Sequence, residues 1–325
     1  MSKHLRAIDL FCGAGGSSYG ARNADVEIVA GFDIWEPAVK TYQINFPQAK
    51  AIEADIRELS PQQLKSQIGD IDLILASPEC TNHSKAKGAV ERSEESRETA
   101  FEVIRFAEAF RPKWMVLENV IEMQSWDRHA ELLDKLWKLD YFVKEVKLNA
   151  KDFGVPQSRE RLFILCSLTG EATKPASNHQ IDKPVQEIID TSDTYKLSPL
   201  KKKGRAEKTI ESAERAIAAL GDDTPFLLVY YGSGRKGNGG WQRIDEPLRT
   251  ITTLDRFAFV TPGSEGHLMR MLQPEELKLA MGFGMDFKLN IVDGLIRRDR
   301  IKLMGNGVCP PVMEAIVKSL TVQSA

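Results

Sequence analysis

Two side chains, Cys80 and Glu118, have the types and settings that best suit chemistry in this chain. Cys80 follows the apolar run 71–76 and a proline, and Glu118 follows the apolar run 114–117. Short apolar runs of this kind are typical of buried parallel strands, whose carboxyl ends share one edge of a sheet. A thiolate can attack an electron-poor ring, and a carboxyl group can handle its proton. The pair therefore predicts nucleophilic catalysis at a sheet edge.

A glycine-rich loop, residues 12–16 (CGAGG), predicts a nucleotide-like ligand beside that pair. It joins a short apolar strand to a predicted helix, so a ligand can approach bare backbone there. Asp33 lies 20 residues past Gly13, at the end of the second predicted strand, where an acid can bind ribose hydroxyls. Ser18 stands where the dinucleotide fingerprint has its third glycine, so the loop alone fits any nucleotide-like cofactor.

A second acid, Asp55, ends the third predicted strand and is a candidate acceptor for an adenine amino group. Asp33 and Asp55 also have an ordinary interpretation, as caps that accept bonds from nearby backbone N–H groups. Taken singly, each acid fits both interpretations. The adjacent glycine-rich loop favours ligand binding for the two together.

The first half of the chain must position these residues, and it alternates predicted strands with predicted helices, the pattern of a parallel α/β sheet. The strands are expected at 7–11, 26–33, 51–55, 71–76, 114–117, 142–148 and 161–166. The helices are expected at 38–45, 99–110 and 130–139.

Beyond about residue 168 the pattern loosens. Between 196 and 208, six basic residues stand against one acid, and the glycine-rich, cationic segment 232–240 is flanked by aromatic residues. The basic run suits phosphate contact and equally suits a solvated linker. Order returns after 265, with helices expected at 273–281 and up to about 320.

Composition sets limits on the class of protein. The 325 residues are 42% hydrophobic, enough for a large core and two lobes. The net charge of −2 gives no overall basic field, so any polyanionic partner must meet local patches. The four cysteines show neither a C-x-x-C pair nor a metal-site spacing, which indicates a reducing compartment and no metal. Without a long apolar stretch, we expect a soluble cytoplasmic protein with no membrane contact.

Six segments occur in an order and at separations that resemble the cytosine-C5 DNA methyltransferases. They are 9–16 (DLFCGAGG), 77–80 (SPEC), 118–120 (ENV), 157–161 (QSRER), 270–276 (RMLQPEE) and 305–308 (GNGV). Any single match carries little weight, whereas six collinear matches are highly specific. The resemblance covers nearly everything except about 168–246.

The resemblance implies an α/β fold, with a Rossmann-like methyltransferase sheet, helices on both faces and a smaller, irregular target-recognition domain. It divides the chain into a catalytic and cofactor-binding domain (1–167), a target-recognition domain (168–263) and a C-terminal segment that returns to the catalytic domain (264–325).

The resemblance also implies S-adenosylmethionine as the cofactor. Cys80 resembles the nucleophile, Glu118 the acid that contacts the cytosine ring, and Arg159 and Arg161 the guanidinium pair of the active site. Asn119 would hold the strand of Glu118 in position. The implied cofactor-binding residues are Phe11, Gly13, Gly16, Asp33, Ile34, Asp55, Ile56, Pro78 and Asn306.

The implied reaction transfers a methyl group to C5 of a flipped-out cytosine in a specific DNA sequence, through a covalent bond from Cys80 to C6. The implied partner is double-stranded DNA. The protein is expected to be a monomer that is associated with the nucleoid through DNA, and a cognate restriction endonuclease would act on the same DNA sequence. Glu79 and Thr81 stand where the family usually has proline and glutamine. We expect Glu79 to point outward, because a carboxylate facing the thiol would disfavour the thiolate.

Three alternatives remain open from the residues. The RNA-modifying branch of the same family shares the catalytic set. A non-catalytic DNA-binding relative is compatible with Glu79. A nicotinamide-dependent oxidoreductase is supported only by the glycine-rich loop and Asp33, and it leaves Cys80 and Glu118 unexplained.

Overall fold

The computed structural model describes residues 4–79, 94–177, 182–231 and 240–321, with the side chains of 94–97 excepted. Cys80 and Thr81 lie outside the described residues, and so does nearly all of the glycine-rich segment 232–240.

A seven-stranded sheet forms the centre of the larger lobe, in the order β3-β2-β1-β4-β5-β7-β6. Its strands are β1 (Leu5–Leu10), β2 (Val26–Asp33), β3 (Lys50–Glu53), β4 (Leu73–Ala76), β5 (Trp114–Asn119), β6 (Phe142–Asn149) and β7 (Glu160–Ser167). Strands β1 to β5 are parallel, and β7 runs antiparallel to both β5 and β6. The start of β7 therefore meets the carboxyl end of β5.

Nine helices lie in the described residues. They are α1 (Gly16–Asn23), α2 (Glu36–Asn45), α3 (Pro61–Ile68), α4 (Glu94–Phe110), α5 (His129–Lys138), α6 (Glu207–Leu220), α7 (Pro274–Ala280), α8 (Arg297–Asn306) and α9 (Pro310–Thr321). The sequence did not predict α3, α6 or α8. Ser60 caps the first turn of α3 by accepting from the Gln63 N–H, and Pro61 occupies the first helical position.

Two apolar cores lie on opposite faces of the large sheet because successive strand residues point to opposite sides. Ala7 packs in one core, with residues of α1, α2 and α9. Ile8 and Leu10 pack in the other, with residues of α3, α4 and α5. The predicted α/β class, with helices on both faces of the sheet, is thereby confirmed.

A five-stranded antiparallel sheet forms the smaller lobe, in the order β10-β9-β11-β12-β8. Its strands are β8 (Ser198–Pro199), β9 (Phe226–Val229), β10 (Trp241–Arg243), β11 (Phe257–Thr261) and β12 (Leu268–Met271). Helix α6 packs on this sheet around Ala213, Ala216 and Phe226, so the lobe has a core of its own. The sheet ends at Met271, and the boundary expected at 263 stays a prediction.

A buried ion pair joins the second sheet to the C-terminal helices. Arg270 of β12 donates from both terminal nitrogens to the carboxylate of Glu276 in α7, at 2.8 and 2.6 Å. Arg270 also donates to the carbonyl of Asp190, and the Glu276 carboxylate accepts from the Asp190 N–H. The pair is buried and bidentate, so it fixes how β12 enters α7.

Candidate active site

The loop between β1 and α1 is built on left-handed backbone. Phe11 has φ 58°, a value that non-glycine residues rarely adopt, and Gly13 has φ 53°. The Asp33 carboxylate, at the end of β2, accepts from the Gly13 N–H at 2.8 Å and from the Trp35 N–H at 2.9 Å. Burial raises the pKa of Asp33, while these two backbone donors and the charge of Lys302 oppose that rise. Asp33 therefore caps local backbone and also faces the cleft described next.

A cleft opens at the carboxyl edge of the parallel strands, where open α/β sheets bind ligands. Its inner half has a volume of about 350 Å³. This half is lined by Phe11, Gly13, Asp33, Ile34, Trp35, Ser77, Pro78, Glu79, Glu118, Lys302, Leu303 and Asn306. Its outer half has a volume of about 300 Å³. The outer half is lined by Phe11, Phe32, Asp33, Ile34, Ala54, Asp55, Ile56, Arg57, Glu79 and Thr99.

The two halves share four residues, so they form one continuous cleft. Eight of the nine residues expected to bind a cofactor line it, namely Phe11, Gly13, Asp33, Ile34, Asp55, Ile56, Pro78 and Asn306. The sequence-based expectation and the geometry therefore converge on a single concave surface.

Gly16 is the ninth residue, and it is not among those that line the cleft. It begins α1 and packs against the segment that follows α8: a Cβ added at Gly16 would lie 2.2 Å from the carbonyl oxygen of Val308. Non-bonded carbon and oxygen atoms cannot lie this close together, so a side chain at this position would push the Val308 carbonyl away. The close packing of α1 on the C-terminal segment thus requires glycine at this position.

Asp55 is engaged by its own neighbour. Its carboxylate accepts from the backbone N–H of Arg57 at 3.0 Å and pairs with the Arg57 guanidinium, whose Nε lies 2.9 Å from Oδ1. This hydrogen bonding lowers the pKa of Asp55. Asp55 therefore lines the outer half of the cleft as an ionised cap, consistent with both interpretations of its sequence position.

Glu118 ends β5 and is 5% exposed. The Arg161 Nε, at the start of β7, lies 3.1 Å from Oε1 of Glu118. Burial raises the pKa of Glu118, and the positive charges of Arg161 and Arg159 oppose that rise without cancelling it. A carboxyl group whose pKa is raised by burial and held back by neighbouring positive charges can hold a proton or share one with a bound base.

Arg159 is buried and contacts backbone. Its guanidinium donates to the carbonyls of Ile251, Gly305 and Gly307, at 2.9, 2.8 and 2.9 Å. Arg159, which directly precedes β7, thus ties the start of that strand to the segment between β10 and β11 and to the end of α8. The two predicted arginines therefore have different contacts. Arg161 contacts Glu118, and Arg159 binds the backbone of the segments that surround the site.

Asn119 connects Glu118 to the segment that leads towards Cys80. Its side-chain amide donates to the carbonyl of Pro78 at 3.2 Å, and its oxygen accepts from the Val120 N–H at 2.8 Å. Glu79 is exposed and lines both halves of the cleft, and its expected direction away from the Cys80 thiol stays a prediction. Cys80 itself is outside the described residues.

Another thiol, Cys309, lies close to the same acid. It is buried, and burial raises the pKa of its thiol to about 11, while Arg159 and Arg161 oppose the rise. A thiol of that pKa is almost wholly protonated near neutral pH and is a poor nucleophile.

A buried polar network supports the loop from below. The Ser18 hydroxyl donates to the Asp9 carboxylate at 2.6 Å and lies 2.7 Å from the Tyr42 hydroxyl. The second carboxylate oxygen of Asp9 is buried and has no hydrogen-bond partner among the described residues. Burial raises the pKa of Asp9 to about 7. Asp9 therefore binds a proton far more readily than an exposed aspartate does.

Four residues of the inner half were not predicted as site residues, namely Trp35, Ser77, Lys302 and Leu303. Lys302 carried a readable signal, because it precedes Asn306 by four residues and such pairs share one face of a helix. Residues 297–306 show little apolar periodicity, so the sequence does not predict the helix on which this pairing depends. In the described residues, no group of three or more His, Cys, Asp or Glu side chains is arranged to hold a metal ion.

The fold and cleft define a Rossmann-like α/β protein with a cleft at the carboxyl edge of its parallel strands, one wall of which holds a buried acid. The chain belongs to the C-5 cytosine-specific DNA methylase family, whose sequence profile matches residues 5–321. No described helix is long and apolar enough to span a bilayer.

Two relatives illustrate the similarity in sequence. Type II methyltransferase M.HaeII of Haemophilus aegyptius is 28% identical over 334 residues, covering 98% of this chain and 93% of the relative. Type II methyltransferase M.DdeI of Desulfomicrobium norvegicum is 31% identical over 198 residues, which is 58% of this chain and 46% of the relative. The match to M.DdeI thus spans less than half of that protein.

A solved structure shows the same fold at lower identity. The Entamoeba histolytica methyltransferase EhMeth superposes with a TM-score of 0.72 at 18% identity, and the alignment covers 100% of both chains. A shared fold at this identity says nothing about the substrate of this chain.

Proposed function

We propose that this chain is a DNA (cytosine-5)-methyltransferase that uses S-adenosylmethionine and modifies a flipped-out cytosine in a specific sequence of double-stranded DNA. The observation that carries the proposal is the position of Glu118. Its buried carboxyl, with a raised pKa and an arginine partner, lies in the wall of the same cleft that holds eight of the expected cofactor residues. A positioned carboxyl group beside a cleft that can hold a nucleoside is what proton transfer to a nucleobase requires.

The cleft fits the cofactor. Its two halves, about 300 and 350 Å³, suit a nucleoside joined to an amino acid. Asp33 and Asp55 offer carboxylate oxygens for hydroxyl and amino groups, and Phe11 and Ile56 offer apolar surface for an adenine ring. When bound, S-adenosylmethionine supplies an activated methyl group on a positively charged sulfur.

Glu118 is proposed to contact the ring nitrogen and the amino group of cytosine. Its raised pKa lets it hold a proton there, or share one with the ring, as negative charge develops on the pyrimidine. Arg161 fixes the carboxyl in place from one side and limits the rise in its pKa. The other carboxylate oxygen of Glu118 is thereby directed to the substrate.

Cys80 is proposed as the nucleophile. Its thiolate adds to C6 of cytosine, which turns C5 into a nucleophile that accepts the methyl group. Loss of the C5 proton to a water molecule then restores the ring double bond and expels the Cys80 thiolate. The C6 atom is hidden in a duplex, so the base must first swing out, at a cost of a few kcal/mol.

The smaller lobe is proposed to recognise the target, within the region 168–263. Lys201, Lys202 and Lys203 are exposed there, as phosphate contacts require. We propose that the protein acts as a monomer on DNA and shares its recognition sequence with a restriction endonuclease, because its curated relatives are type II methyltransferases. Bisulfite sequencing of DNA from cells that express the protein would report the sequence modified.

The decisive experiment is covalent trapping, in the presence of S-adenosylmethionine, on duplex DNA that carries 5-fluorocytosine, in which fluorine replaces the proton whose loss after methyl transfer releases the enzyme. We expect a denaturation-resistant adduct with the wild-type protein and with Cys309→Ala, and none with Cys80→Ala. Trapping that survives Cys80→Ala and disappears in Cys309→Ala would show that the nucleophile is wrongly assigned.

Labelled-methyl transfer to duplex DNA and to transfer RNA, run in parallel, distinguishes the two branches of the family. We expect transfer to DNA alone. Transfer confined to RNA would leave the chemistry standing and overturn the substrate.

A further inference from the structure

Lys302 is a cation at the mouth of the inner half of the cleft. It lies on α8, one helical turn before Asn306, and both residues are exposed and line the cleft. The Lys302 ammonium lies 4.1 Å from the centre of the Trp35 ring. A cation held over an aromatic face is oriented without being neutralised.

The charges around Lys302 are unbalanced. Among the described residues that line the inner half, Lys302 is the one cation, and three carboxylates accompany it, those of Asp33, Glu79 and Glu118. No described carboxylate lies close enough to Lys302 to form an ion pair with it. The carboxylate of Asp33 accepts instead from two backbone N–H groups. Lys302 is thus free to bind an anionic group of a ligand.

The methyl donor carries one anionic group, the α-carboxylate of its amino acid part. We propose that Lys302 binds this carboxylate and thereby selects donors with an intact amino acid part over nucleosides that lack it. This inference rests on the proposed function, because it names a contact within the same site. It agrees with the geometry, since Asp33 lies at the junction of the two halves and Lys302 lies in the inner half, beside Gly13 and Asn306.

The test compares two nucleosides that differ in this part. S-adenosylhomocysteine carries the carboxylate, and 5′-methylthioadenosine lacks the whole amino acid part. Calorimetric Kd values are measured for wild type, Lys302→Met, Lys302→Arg and the control Lys318→Met. Lys318 is exposed, is paired with Glu314 on α9 and is not among the residues that line the cleft. Methionine keeps a long side chain over Trp35 and removes only the charge.

We expect Lys302→Met to weaken S-adenosylhomocysteine about 10-fold, the effect of losing one charge-assisted contact. Binding of 5′-methylthioadenosine should stay unchanged, Lys302→Arg should retain most of the affinity, and Lys318→Met should match wild type. A purely structural role would weaken both nucleosides equally and would overturn the inference.

Two further outcomes are distinguishable. If Lys302→Met bound S-adenosylhomocysteine normally and bound duplex DNA more weakly, the cation would be serving a phosphate, and the inference would be wrong while the proposed function stood. If the wild-type protein bound neither nucleoside, the proposed function itself would be wrong, whatever the behaviour of the variant.

Discussion

The guanidinium of Arg161 reaches the carboxylate of Glu118 because an antiparallel strand, β7, lies next to the parallel strand β5. Glu118 pairs in register with Phe163, two residues beyond Arg161 on β7, so both side chains project from the same face of the sheet. A parallel neighbour would have brought its carboxyl end to this position instead. The reversed strand thus supplies a cation at the edge where the cleft lies.

Replacing Glu118 by glutamine keeps the shape of the side chain and removes its ability to ionise. We expect methyl transfer to DNA to fall by at least about 100-fold, because proton handling at the ring is lost. Affinity for S-adenosylhomocysteine should remain within about 3-fold, since removing a transition-state contact leaves ground-state binding nearly intact. The exposed Glu265→Gln serves as the control. An active Glu118→Gln enzyme would contradict the proposed role.

Arg159→Met should destabilise the protein strongly. Three backbone carbonyls would lose a charged donor, those of Ile251 and Gly305, which are buried, and that of Gly307, which is partly buried. We expect a loss of about 3–5 kcal/mol in the free energy of unfolding, measured by urea denaturation. Arg243→Met removes a surface pair with Asp245 and should leave stability nearly unchanged. Similar midpoints for the two variants would show that Arg159 does not hold these segments together.

The packing of α1 can be tested at two glycines. In Gly16→Ala the new Cβ meets the Val308 carbonyl, whereas in Gly204→Ala it meets open space and only the left-handed backbone is strained. We expect Gly204→Ala to cost about 1 kcal/mol and Gly16→Ala at least about 3 kcal/mol. We also expect Gly16→Ala to lower the melting temperature, and we expect S-adenosylhomocysteine not to restore it to the wild-type value. Equal costs would mean that α1 shifts freely.

Asp9 should make stability depend on pH. Its pKa is about 7 in the folded protein against an ordinary value of 3.8, so between these pH values the folded state binds more protons than the unfolded state. The contribution of Asp9 to the free energy of unfolding therefore falls as pH rises from about 4 to about 7, and it stays constant above pH 7. The difference in pKa corresponds to at most about 4 kcal/mol.

Asp9→Asn is neutral at every pH and can still accept from Ser18. Thermal melting of wild type and variant at pH 5 and pH 7.5 should show the variant gaining relative stability at the higher pH. A constant difference between the two proteins would mean that Asp9 does not titrate in this range.

The sequence predicted all seven strands of the large sheet to within three residues at each end, because buried strands are continuous apolar runs bounded by turns. The second sheet was not predicted strand by strand. Its strands have only two to five residues, and β8 pairs with β12 from about 70 residues away, so no local pattern identifies them. Helix α8 was missed because its charged residues give little helical periodicity.

The site was predictable wherever a local motif carried it. The motifs at residues 9–16, 77–80 and 118–120 indicated the cleft and its acid. The contacts of Arg159 were not predictable, because the three carbonyls that accept its hydrogen bonds lie 92 to 148 residues further along the chain. The fit of Gly16 against Val308 likewise depends on the close approach of two distant segments, which spacing alone does not reveal.

Asn119 gives a test of how the sheet holds the segment that leads to Cys80. Asn119→Asp keeps the oxygen that accepts from the Val120 N–H, and it replaces the amide donor with an acceptor facing the Pro78 carbonyl. Two oxygens would then repel each other, and a second carboxylate would lie beside Glu118 in a buried setting. Both effects disturb the segment of Pro78 and leave the outer half of the cleft untouched.

We therefore expect the rate of adduct formation on 5-fluorocytosine DNA to fall by about 10- to 100-fold in Asn119→Asp, the range typical of a lost buried hydrogen bond to a catalytic segment. Affinity for 5′-methylthioadenosine should be unchanged, because its adenine and ribose would bind at Asp33 and Asp55. Asn290→Asp, at an exposed position, controls for the added charge. A variant that traps DNA at the wild-type rate would show that the contact between Asn119 and Pro78 does not position the nucleophile.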